Sequence, residues 1–125
     1  MTRPRAPRVE IRRVYDHHRD DGTPQVLIDR LWPRGLAKAD VPMDEWLKDV
    51  APSTDLRRWY GHDPAKFEAF AQRYRAELAT APARNGVARL RARAGKSGVV
   101  LLTSTRDVEH SAAAVLLEVL AGPAA

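Results

Sequence analysis

The sequence contains no cysteine. That excludes disulfide staples, thiolate metal sites and thiol nucleophiles, and it fits a reducing compartment. No apolar run approaches the roughly 18 residues that a membrane-spanning helix needs. The densest stretch, Val99 to Leu102, is one strand long. The common fingerprints of nucleotide binding and serine hydrolysis are also missing: there is no phosphate-binding loop, no G-x-G-x-x-G and no G-x-S-x-G. The histidines are His17, His18, His62 and His110. The first two are adjacent and would face opposite sides of a strand. None of them stands at a metal-ligand spacing, so no metal is expected. Residues 1–8 carry arginines and prolines without a following apolar block, and read as a short disordered basic arm, not as a secretory signal.

What is present suits a single globular unit. The chain has 125 residues, of which 44% are hydrophobic, enough to build one core and too few for two domains. A single α/β domain over 9–121, cytoplasmic and without a membrane segment, is the expectation. The formal charge is +5, and its placement is uneven. Arg3, Arg5, Arg8, Arg12 and Arg13 stand against Glu10, and Arg84, Arg89, Arg91, Arg93 and Lys96 stand in a stretch without acids. Such clusters suit a nucleic-acid or other anionic partner, or simply a solvated helix face beside a tail.

Local patterns outline the elements. Val9 to Tyr15 and Gln25 to Asp29 read as strands, the second with the continuous apolar run Val26-Leu27-Ile28 that suits burial on both faces. Gly35 permits a positive backbone angle after Pro33, and a short helical turn fits Leu36 to Asp40. Glu45 to Val50 fits both periods: Leu47 and Val50 a helical one, Trp46, Lys48 and Val50 alternation. Ser53 can cap a helix that Gly61 stops. Asp63-Pro64 opens a longer helix whose Phe67, Phe70, Tyr74 and Leu78 share one face. Residues 84–94 form a further helix. Val99 to Thr103 is the clearest buried strand, and Ser104 to Asp107 opens a last helix with Val108, Ala112, Val115, Leu116 and Val119 inward. Apolar strands separated by crossovers predict a three-layer α/β fold with a small, mostly parallel sheet flanked by helices. In such sheets ligands sit beyond the carboxyl ends of the strands.

Three polar segments follow strand or helix boundaries there. The first, Asp29-Arg30-Leu31-Trp32-Pro33-Arg34-Gly35, delivers a carboxylate and two guanidiniums; arginine is the bidentate donor for carboxylate or phosphate, and Asp29 is equally placed to pair internally with Arg30 or Arg34. The second runs from Ala51 to Pro64, where Ser53 is an anion donor at a helix start or an ordinary cap, and His62 beside Asp63 is an oriented base or a turn histidine. The third, Thr103 to Ser111, places hydroxyls, Arg106 and His110 at a helix start.

The blocks VLIDRLWPRGL, EWLKDVAPSTDLRRWYGHDPAKFEAFAQRY and LLTSTRDVEHSAAAVLLEVL make the chain, from Val9 to Leu120, resemble the YeaO-like proteins of domain-of-unknown-function family 488. The resemblance implies a strand at 45–50 and a shared motif set, and carries no reaction with it. Relatives in the wider family often have a cysteine at the end of the last strand. Thr103 or Ser104 stands there in this chain, so no thiol chemistry transfers.

The leading expectation is a strand-end pocket for a small anion, a phosphate, nucleotide or carboxylate, built from Arg30, Arg34, Ser53, Ser104, Arg106 and His110. His110 and Asp29 are the candidates for catalysis, should there be any. The alternatives are a basic nucleic-acid-binding or regulatory module using Arg3, Arg5, Arg8 and the 84–97 helix, and an interaction domain without a ligand. The residues name no cofactor and no oligomeric state.

Overall fold

A computed structural model of the chain describes residues 8–16, 22–41 and 43–122. The basic arm, apart from Arg8, lies outside the described residues, as do His17 and His18.

The fold is built around a parallel sheet of β1 (Val9–Arg13), β2 (Gln25–Leu27), β3 (Glu45–Trp46) and β4 (Val99–Thr103) in the order β1-β4-β2-β3. Every pairing is parallel: Val9 to Arg13 run beside Val99 to Thr103, Gln25 to Leu27 beside Val100 to Leu102, and Val26 and Leu27 beside Glu45 and Trp46. The carboxyl ends of the strands therefore share one edge of the sheet. The central strands have no solvent-facing side. Leu101 and Leu102 are both 0% exposed, one on each face, which is why the run is apolar without alternation.

The helices α1 (Thr54–Tyr60), α2 (Phe67–Leu78), α3 (Ala83–Lys96) and α4 (Ala112–Ala121) belong to one core, with Val26, Ile28, Val99 and Leu101 from the sheet. The opposite face is covered by a thinner layer. There Leu27, Val100 and Leu102 meet Val14, Trp32, Leu36, Val41, Met43 and Trp46, and the covering segment holds only the short 3-10 turn Lys38–Asp40. Three layers are present, and the third is largely a loop.

Element starts follow their caps. The Ser53 hydroxyl accepts from the Leu56 N–H at 3.2 Å, and Gly61 ends α1 in the left-handed region at φ +54°. Asp63 accepts from the Ala65 N–H at 3.1 Å, with Pro64 in the first turn before α2. Phe70, Tyr74 and Leu78 are buried as their spacing predicts, with Phe67 packed partly against them.

Two expected boundaries move. The strand at 45–50 ends after Trp46 and becomes a 3-10 turn, Lys48–Val50. The turn places Leu47 and fully buried Val50 in the same helical-face core, so the helical spacing overrides alternation. The last helix does not open at Ser104 to Asp107. Asp107 caps only the 3-10 turn Val108–His110, and Ser111 caps α4 by accepting from Ala114. Ala113 and Leu120, absent from the expected stripe, are buried with Val115 and Leu116.

Candidate functional site

Asp29, directly beyond β2, faces the end of β4. One carboxylate oxygen accepts from Thr103 Oγ1 at 2.8 Å; the other accepts from the Ser104 N–H at 2.8 Å and Ser104 Oγ at 2.7 Å. The anion cradle expected at the end of β4 is thus filled by a carboxylate of the chain itself. A second cradle, at the start of α1, is filled in the same way. Glu77 of α2 accepts from the Ser53 N–H at 2.8 Å and from Ser53 Oγ at 2.6 Å. Charge-assisted hydrogen bonds of this kind are about twice as strong as neutral ones.

Arg30 turns away from both carboxylates. Its Nε donates to the Pro52 carbonyl at 3.0 Å and its Nη2 to the Ala51 carbonyl at 3.2 Å, tying the loop after β2 to the entry of α1. Tyr74 completes the cluster from beneath, donating to the Val50 carbonyl. Burial, then the charges of Glu77 and Asp29, push its phenol far above the ordinary value of 10.0. The donors that an incoming anion would use here are already taken by the two carboxylates.

His110 stands apart from the Asp29 cluster in its bonding. Its Nδ1 lies 2.8 Å from Asp107 Oδ2, its ring meets Phe67 edge-on at 5.4 Å, and its carbonyl accepts from the Tyr60 hydroxyl at 2.5 Å. Among the described residues, no histidine bonds to Thr103 or Ser104, so neither hydroxyl has an imidazole base.

Arg34 and Arg106 remain. Both are exposed, and among the described residues neither guanidinium has a hydrogen-bond or ion-pair partner. Tyr15 and Arg13 connect the loops that carry them. The Tyr15 hydroxyl donates to the Arg34 carbonyl at 3.0 Å, the Arg13 guanidinium lies over the Tyr15 ring at 5.3 Å, and Arg13 Nε donates to the Thr105 carbonyl at 3.0 Å. The six residues expected in one pocket therefore divide. Ser53, Ser104, Arg30 and His110 hold internal partners, while Arg34 and Arg106 are exposed to solvent.

The basic helix is also largely engaged. Arg89 and Arg93 pair with Glu45 at 2.8 and 3.2 Å, and Arg91 donates to the Val119 carbonyl near the end of α4 at 2.7 Å. Arg84 and Lys96 remain exposed. Glu77, Tyr74, Arg13 and Tyr15 were not among the site residues expected from the sequence. The available signal for Glu77 was its position three residues after Tyr74, at the border of the apolar stripe of α2.

A family model described as the inactive DUF488-N3 subclade matches residues 8–125. An uncharacterized protein of Mycobacterium tuberculosis (strain ATCC 25618 / H37Rv) is 46% identical over 118 residues, covering 94% of this chain and 98% of the relative. The uncharacterized protein YeaO of Escherichia coli (strain K12) is 36% identical over 110 residues, covering 88% and 94%. No solved structure matches the chain.

Proposed function

Because the chain belongs to the DUF488 family, in the subclade described as inactive DUF488-N3, we propose that it acts by binding and not by catalysis, and that its ligand is a small phosphate- or carboxylate-bearing anion held at the strand-end rim by Arg34 and Arg106. One observation carries the reading. The strand-end hydroxyls and backbone N–H groups are closed by Asp29 and Glu77, whereas the two guanidiniums on the adjoining loops are unpartnered among the described residues. Among the described residues, the carboxylates occupy both helix- and strand-end donor cradles and leave neither serine hydroxyl with an imidazole base. An aspartate alone is a weak base for a serine hydroxyl that has no imidazole beside it. Arginine supplies the planar fork suited to either anion; Arg13 nearby is already paired with Asp16 at 3.0 Å and adds no free charge.

The test is a thermal-shift and calorimetric screen against inorganic phosphate, nucleotides and short dicarboxylates, repeated on Arg34→Ala and Arg106→Ala. A rim site gives binding that both substitutions weaken and that added salt weakens, because the guanidiniums are exposed. Binding unaffected by either substitution removes the reading.

A further inference from the structure

The third layer contains a shallow, largely open cavity of about 450 Å³ lined by Trp32, Lys38, Met43 and Trp46. It lies on the sheet face opposite the four helices, and uses neither Arg34 nor Arg106. Its volume falls within the roughly 300–1,000 Å³ typical of small-molecule sites.

Its walls are preorganised. The Trp32 and Trp46 rings meet edge-on, with centroids 5.3 Å apart and planes 64° apart. Each indole N–H is held by the backbone: Trp32 Nε1 donates to the Leu36 carbonyl at 2.7 Å, and Trp46 Nε1 to the Asp29 carbonyl at 2.6 Å. The rings therefore offer π surface in a set orientation, with their only donors already engaged. Met43 adds a polarizable thioether suited to contact with an aromatic ring.

Among the described residues, the one charged residue in the cavity lining is a cation. Lys38 lines the cavity, and the Lys48 ammonium lies 4.0 Å from the Trp46 ring centroid. Among the described residues neither lysine has a carboxylate partner. Asp44, the nearest acid in sequence to Met43, accepts from the Gln25 backbone N–H at 2.8 Å. A neutral apolar ligand would gain nothing from the two exposed ammonium groups. A purely ionic one would leave the indole and thioether surface wet. We infer that the cavity bounded by Trp32, Met43 and Trp46, with Lys38 in its lining and Lys48 over the Trp46 ring, is a binding site for a small planar aromatic anion.

The experiment follows the three indole N–H signals of the full-length chain by two-dimensional NMR during titration with 1-naphthoate, 1-naphthalenemethanol and cyclohexanecarboxylate. Trp59 serves as the internal control, since it sits on α1 in the other core with Lys66 and Arg73 over its ring. The inference requires saturable shifts of Trp32 and Trp46 with naphthoate and a still Trp59. The alcohol and the non-aromatic acid should each bind at least about tenfold more weakly. Lys38→Ala with Lys48→Ala should weaken naphthoate by a similar factor and leave the alcohol unchanged; both lysines are exposed, so folding is preserved. Equal binding of naphthoate and the alcohol overturns the inference. So do shifts spread evenly over all three indoles, or no saturation. Concentration-dependent shifts of Trp32 and Trp46 without added ligand, matched by a doubled mass in light scattering, would overturn it by seating a second copy there.

Discussion

Glu77 closes both donors of Ser53, with Oε1 on the N–H at 2.8 Å and Oε2 on the hydroxyl at 2.6 Å. The pair joins α2 to the first turn of α1 across 24 residues of sequence. Glu77→Ala leaves a half-buried N–H and hydroxyl without their acceptor, and is expected to cost about 1–3 kcal/mol in urea unfolding. Ser53→Ala removes the helix cap and the hydroxyl half of the contact, keeps the N–H bond to Oε1, and should cost about 1 kcal/mol. The double variant should cost less than the sum of the two, because both singles break the same interaction. Strict additivity would show that the contact does not form in solution.

Asp29 predicts a second stability effect. Asp29→Asn keeps the shape but turns an amide NH₂ toward donors, either the Thr103 hydroxyl or the Ser104 N–H and hydroxyl. An expected loss of about 1.5–3 kcal/mol follows from hydrogen bonds to a charged acceptor. Ser104→Ala removes one of the three and should cost about 1 kcal/mol. Denaturant midpoints of both variants check the order.

Tyr74 gives the pH dependence. Its phenol is held above its ordinary value of 10.0, first by burial and then by Glu77 and Asp29. Above that ordinary value the unfolded chain loses the proton while the folded chain keeps it. Stability is therefore fully present at neutral pH and falls as the pH rises past about 10. Tyr74→Phe reduces this alkaline slope without abolishing it, because the Tyr60 phenol is also raised, first by burial and then by Asp107 and Asp63. At neutral pH it costs about 1–2 kcal/mol, because the Val50 carbonyl loses its donor. Unfolding midpoints measured from neutral to strongly alkaline pH separate the two effects.

Gly86 lies in α3 against the 3-10 turn after β3. A Cβ there would stand 2.6 Å from the Val50 Cγ1, and Val50 is 0% exposed. Helix propensity favours Gly86→Ala by up to about 1 kcal/mol. Overpacking costs about 1–3 kcal/mol. The expected result is a net loss of stability, read from the midpoint of thermal or denaturant unfolding.

Arg34→Ala separates the rim from the core. The guanidinium is exposed and Asp29 bonds to Thr103 and Ser104, so stability should change by no more than about 0.5 kcal/mol. Anion binding should fall. A loss of several kcal/mol would show that Arg34 pairs with a buried acid.

The sequence alone determined the sheet's buried strands, the Ser53 cap of α1, the Asp63 cap of the turn before α2 and the inward face of α2. Val26-Leu27-Ile28 and Val99 to Leu102 are apolar without alternation because both faces of those strands are covered, and hydrophobic period and capping chemistry are local signals. The family, too, was legible in contiguous motifs. The tertiary structure alone decided the partners of the charged groups. Arg30, Arg34 and Asp29 sit within six positions of one another, yet Arg30 serves the carbonyls of Ala51 and Pro52, Asp29 serves β4, and Arg34 faces solvent. Ser53 and Glu77, Asp29 and Ser104, and Trp32 and Trp46 meet only when helix packing and strand order bring them together. Hydrogen bonds and charge pairs act over a few ångströms in space, and no periodicity along the chain encodes that distance.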